Sequence, residues 1–71
     1  MNWLEIEGKW DQIKGKIKEK WGKFTDDDLN QYKGNREHFV GGLTDRYGFS
    51  KEEAQRHADE FGSSLRSEDY H

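Results

Sequence analysis

Trp3, Ile6, Trp10, Ile13, Ile17 and Trp21 recur at intervals of three or four residues, which lines large apolar side chains along one face of a helix. A rod with such a face cannot remain bare in water, so the rest of the chain has to cover it. The spacing predicts a first helix from Asn2, an N-cap residue with Glu5 three positions later, to Trp21, with Gly22 as a left-handed stop.

The punctuation after Gly22 is helical as well. Thr25 reads as a cap, with Asp26, Asp27 and Asp28 as a first turn whose carboxylates meet exposed N–H groups and the positive dipole end. Leu29 and Tyr32 are its inward residues, and Gly34 ends it. Asn35 caps a third helix carrying Phe39, Val40, Leu43 and Tyr47, and Gly48 stops that one. Ser50 with Glu53 is a capping box for a fourth helix, and Phe49 with Ala54 is its hydrophobic staple. Ala54, Ala58, Phe61 and Leu65 fall on one side of it. The fold class is therefore all-α, a small single-domain bundle of about four helices over residues 1–62. The polar segment 63–71 is expected to be a frayed or disordered tail.

Seventy-one residues suit one domain, near the size at which a single core barely offsets chain entropy. Leu, Ile, Val and Phe number only twelve and 38% of residues are charged, a composition close to that of disordered chains. A net charge of only −3 and ten aromatic rings pull it back, because each ring buries a large area. The expected core is Trp10, Ile13, Ile17, Trp21, Phe24, Leu29, Phe39, Val40, Leu43, Tyr47, Phe49, Ala58 and Phe61. Without cysteine there is no disulfide, no thiolate metal site and no cysteine nucleophile. No apolar run resembles a signal peptide or a membrane span, so the cytoplasm is the expected compartment. Gly8, Gly15 and Gly22 recur every seven residues on the side away from the tryptophans. They mark either close backbone approach or a locally weak, bent helix; for Gly41 and Gly42, a close crossing over Trp10 or Trp21 is the sharper expectation.

Candidate chemistry is sparse. Successive helical positions such as Asp26, Asp27 and Asp28 point in different directions and lack the alternating ligands and central glycine of a calcium loop, which favours capping over a metal site. His38, His57 and His71 have no histidine three or four residues away, and a surface or boundary role fits them better than zinc ligation. No catalytic residue, cofactor or metal is expected, and the chain is not read as an enzyme. Lys14, Lys16, Lys18, Lys20 and Lys23, interleaved with Trp21 and Phe24, form a candidate surface for nucleic acid or a protein partner. The eleven acidic against six basic residues over 25–71 oppose a polyanion, and the simpler role is to solvate and cap the first helix. The same helix could lie at a lipid interface, yet the domain needs its apolar face as a core.

The tract KGKIKEKWGKFTDDDL (14–29), then Gly34, Arg36, Glu37 and Val40-Gly41, then DRYGFSKEEA (45–54), resembles the CsbD-like family of small bacterial stress-response proteins. The resemblance covers residues 1–61. It implies a compact helical domain of two short α-hairpins packed crosswise, with expression raised under general stress, and it brings no catalytic residue. Phe24 and Phe39 stand where aliphatic residues are usual, and Gly42 where a basic one is common. The resulting expectation is a non-enzymatic cytoplasmic stress-response protein acting through a protein partner or by abundance, with a monomer preferred. A nucleic-acid-binding module using Lys14 to Lys23 and a peripheral membrane protein using the first helix are the alternatives.

Overall fold

The computed structural model describes residues 3–68, with side chains up to Leu65. It contains α1 (Trp3–Gly8), α2 (Trp10–Lys20), α3 (Asp26–Tyr32), α4 (Arg36–Tyr47) and α5 (Lys51–Glu68), and among the described residues there is no strand. The all-α reading is correct, but the helices number five, because the first is broken. Lys9 leaves helical geometry at φ −112° and ψ 24°, and its N–H is shared between the carbonyls of Glu5 (3.0 Å) and Ile6 (3.2 Å). The break turns α1 back onto the domain: Ile6 is fully buried and the Trp3 ring lies 5.6 Å from Phe39. Asn2, the expected cap, lies outside the described residues.

α2 and α3 form one antiparallel hairpin. Trp10 Nε1 donates to the Leu29 carbonyl (2.7 Å) and Lys14 Nζ to Asn30 Oδ1 (2.9 Å), at and beyond the middle of α3, while Lys18 Nζ, near the end of α2, donates to Asp26 Oδ1 (2.7 Å) at the start of α3. α4 and α5 form the second hairpin, closed at its far end by Arg36 on Asp59 (2.9 Å). The helix starts follow the sequence. Thr25 and Asp28 exchange backbone-to-side-chain bonds of 3.1 Å each, Ser50 and Glu53 do the same at 3.2 and 3.4 Å, and Asn35 Oδ1 accepts from the His38 N–H (3.0 Å). Each such cap contributes about 1 kcal/mol.

The two hairpins share one core. Trp21 meets Phe39 and Phe61 edge-on at 5.3 Å each, and Phe24 packs on Phe39, Tyr32 and Tyr47. Trp10, Ile13, Ile17, Leu29, Val40, Leu43 and Ala58 are buried with them, while Tyr47 and Phe49 are half-buried at the margin. Ile6, Ala54 and Leu65 complete the core. Burying one large side chain contributes about 1.5–3 kcal/mol, and this core contains no buried polar or charged residue.

Three local expectations give way. The expected tail is helical over 63–68, because Leu65 is buried at 4% exposure and anchors two further turns of α5; residues 69–71 lie outside the described part. Gly22 does not have a positive φ. The segment between Trp21 and Thr25 turns instead through a bond from the Phe24 N–H to the Trp21 carbonyl (3.3 Å). The left-handed stops are Lys33 (φ 51°) with Gly34 (φ 80°), and Gly48 (φ 70°). A Cβ on Gly8, Gly15 or Gly41 would meet nothing within 4 Å, so none marks a close crossing; Gly8 precedes the bend instead. Gly42 does mark a close approach, against the Tyr32 phenol rather than a tryptophan.

Candidate interaction surface

Helical geometry divides the lysines that looked continuous in sequence. At about 100° per residue, Lys14 and Lys18 share one side of α2 while Lys16 and Lys20 share another. The first pair reaches α3, and Lys14 also pairs with Asp11 at 3.3 Å. The second pair borders Phe61, Ser64 and Leu65 of α5, with the Lys20 ammonium 5.1 Å from the Trp21 ring centroid. Lys23 crosses to the second hairpin, its ammonium 5.1 Å from the Tyr47 ring centroid and its N–H on Tyr47 Oη at 3.1 Å. Trp21 and Phe24 are 5% and 2% exposed, so neither offers a ring face on which a base could stack.

The aspartates are tied just as locally. The hydrogen bond and charge of Lys18 hold the Asp26 carboxyl below the usual carboxylate range. Asp28 is lowered by its bond to Arg46 (2.8 Å), which links α3 to α4, and by the Thr25 N–H. Arg46 is raised in turn by Asp28, and burial pushes the Tyr32 phenol up. Among the described residues no group of three or more histidines and carboxylates could hold a metal ion. The His57 ring stacks on Phe49 at 4.6 Å, His38 is exposed at the start of α4, and His71 lies outside the described residues. Among the described residues no helix is long and apolar enough to cross a membrane.

What the sequence reading missed is that the two hairpins are the same motif written twice. Residues 10–22 match 36–48, and after one extra residue, Lys23, residues 24–33 match 49–58. Asp11 corresponds to Glu37, Ile13 to Phe39, Gly15 to Gly41, Ile17 to Leu43 and Glu19 to Asp45. Trp21, Gly22, Phe24 and Thr25 then correspond to Tyr47, Gly48, Phe49 and Ser50. The three-dimensional contacts follow the same register. Both hairpins carry a capping box, and in both the phenylalanine before the cap packs on the ring eight residues later, Phe24 on Tyr32 (5.8 Å) and Phe49 on His57 (4.6 Å). The spacing of aromatic, glycine, phenylalanine and hydroxyl residue was the available signal.

The motif's two copies differ in the groove between their helices. In the first, Lys14 and Lys18 reach across it. At the equivalent places in the second stand Val40 and Thr44, and a groove remains open there, lined also by Arg36, Glu37, Gly41, Asp45, Lys51 and Gln55.

Comparison with known proteins places these features in a family. The family model described as CsbD-like matches residues 5–56. The UPF0337 protein PA4738 of Pseudomonas aeruginosa is 51% identical over 65 residues, covering 92% of this chain and all of that protein. The UPF0337 protein YjbJ of Escherichia coli strain K12 is 48% identical over 56 residues, covering 79% of this chain and 81% of YjbJ. A UPF0337 protein of Protochlamydia amoebophila is 51% identical over 61 residues, covering 86% and 92% respectively.

Proposed function

This chain belongs to the CsbD-like family, and on that premise we propose that it is a non-enzymatic, cytoplasmic stress-response protein acting through a protein partner or by its abundance. The observation that carries this reading is the use to which the charged side chains are put. Lys14, Lys18, Arg46 and Arg36 bind Asn30, Asp26, Asp28 and Asp59 of the same chain, and every buried side chain of the core is apolar. Catalysis needs polar groups held in a water-excluded site with perturbed protonation; here Asp26 is exposed, Asp28 is half-buried, and both are bonded to structural partners. A surface-acting protein needs only a rigid frame with side chains left over, and the open α4/α5 groove supplies them.

The reading is tested in cells by photo-crosslinking from Gln55 before and after the onset of stress, alongside the protein's abundance. It expects a rise in abundance and either a discrete protein adduct or a protective effect that scales with dose. A specific nucleic-acid adduct, with gel shifts that weaken steeply on raising salt, would instead make the lysines of α2 a polyanion surface.

A further inference from the structure

The first hairpin is a template for reading the second. There, the Lys14 ammonium sits between Asp11 Oδ1 (3.3 Å) and Asn30 Oδ1 (2.9 Å), and four residues on, the Lys18 ammonium sits on Asp26 Oδ1 (2.7 Å). In the second hairpin the two acceptors of the first seat persist as Glu37 and Gln55, while the lysine that fills it has become Val40. The second seat is reversed in sign. Asp26 corresponds to Lys51, and Lys18 to Thr44, whose side chain is too short to reach across. The groove thus offers a cation seat at Glu37 and Gln55 and, one helical turn along, an anion seat at Lys51. Gly41 lies on its α4 wall with nothing within 4 Å of where a Cβ would be.

An incoming helix with a basic residue and an acidic residue four positions apart would place its two charges one turn, or about 5–6 Å, apart, the same spacing as Lys14 and Lys18. The missing Cβ of Gly41 lets its backbone come close. Arg36 is occupied by Asp59, so it does not compete for the acidic residue. We propose that the α4/α5 groove docks a helical segment of a partner protein, which presents a lysine or arginine to Glu37 and Gln55 and a glutamate or aspartate to Lys51. The proposal rests on the protein-partner reading above and gives that partner its chemistry.

The test uses an alanine-based helical peptide carrying one lysine followed four residues later by one glutamate, titrated into the full chain and read by amide chemical shifts. The control peptide carries glutamate at both positions. Saturable shifts are expected on residues lining the groove for the lysine-bearing peptide, with at least tenfold weaker binding of the control. Lys51→Glu, at the exposed start of α5, reverses the anion seat and is expected to weaken the lysine-and-glutamate peptide at least tenfold. Glu37→Gln, at an exposed position that leaves the core intact, is expected to weaken it severalfold. Absence of saturable shifts, equal binding of both peptides, shifts centred on α2, or binding unchanged in both variants would each overturn the proposal. A specific stress-induced protein adduct mapping outside the groove, together with no peptide binding, would remove the groove and leave the partner reading standing.

Discussion

The two hairpins begin from the same motif and end with different surfaces. The first is self-sufficient: Lys14 and Lys18 close its groove on Asn30 and Asp26, and Trp10 adds a buried hydrogen bond to the Leu29 carbonyl. The second makes the same capping box after a different turn, through Gly48 at positive φ, and Arg36 on Asp59 ties its helices together at one end. Valine and threonine stand in the second hairpin where the first has two lysines, and a groove is open between α4 and α5.

The comparison is broken most forcefully at Trp21 and Tyr47, equivalent positions with different burial. Trp21→Ala is expected to cost about 3–5 kcal/mol, enough to unfold much of so small a domain, because it empties the contact with Phe39 and Phe61. Tyr47→Ala, at the half-buried margin, should cost less than half as much by thermal and urea melts. Comparable losses would mean that the core is centred elsewhere.

Gly22 and Gly48 sharpen it next. Gly48→Ala forces a side chain into φ 70° and is expected to cost about 1–2 kcal/mol, whereas Gly22→Ala, away from positive φ, should be close to neutral. The extra Lys23 in the first turn is the physical reason for the difference. Thr25→Ala and Ser50→Ala test what the hairpins share, and each is expected to cost about 1 kcal/mol in the same melts.

The smallest expected effect is on pH dependence. Asp26 and Asp28 are lowered in the folded state, so the unfolded chain takes up their protons first as pH falls. Their contribution is complete above the ordinary carboxylate range, near about pH 4, and fades as pH drops through their depressed values. Asp26→Asn should therefore flatten the acid limb of the stability curve; an unchanged acid limb would mean that the Lys18 bond contributes nothing in solution.

Much of this architecture was legible in the residues. Thr25, Asn35, Ser50 and Gly48 are local signals, and local hydrogen bonding decided them. The stripe from Trp10 to Trp21 became core because nothing else of that size was available to cover Phe39 and Phe61. The break at Lys9 was not legible, since Trp3 and Ile6 keep a period that suits an unbroken helix. It arises from tertiary packing: α1 must bend to reach Phe39, and it passes so near Gly34 that a Cβ there would lie 2.5 Å from the Glu7 Cα. The lysine surface misled for a related reason. An alternation of every second residue looks continuous in print, yet on a helix it separates into two faces, and only the fold shows which acids each face meets. The groove could be seen only by setting one hairpin against the other.

The structure of a Lys14→Val, Lys18→Thr double variant tests most directly whether the hairpins are one plan with one difference, because neither lysine belongs to the core. The account predicts an unchanged fold with a groove open between α2 and α3, as one is open between α4 and α5. A rearranged α2/α3 pair with no groove where the lysines had been would contradict it.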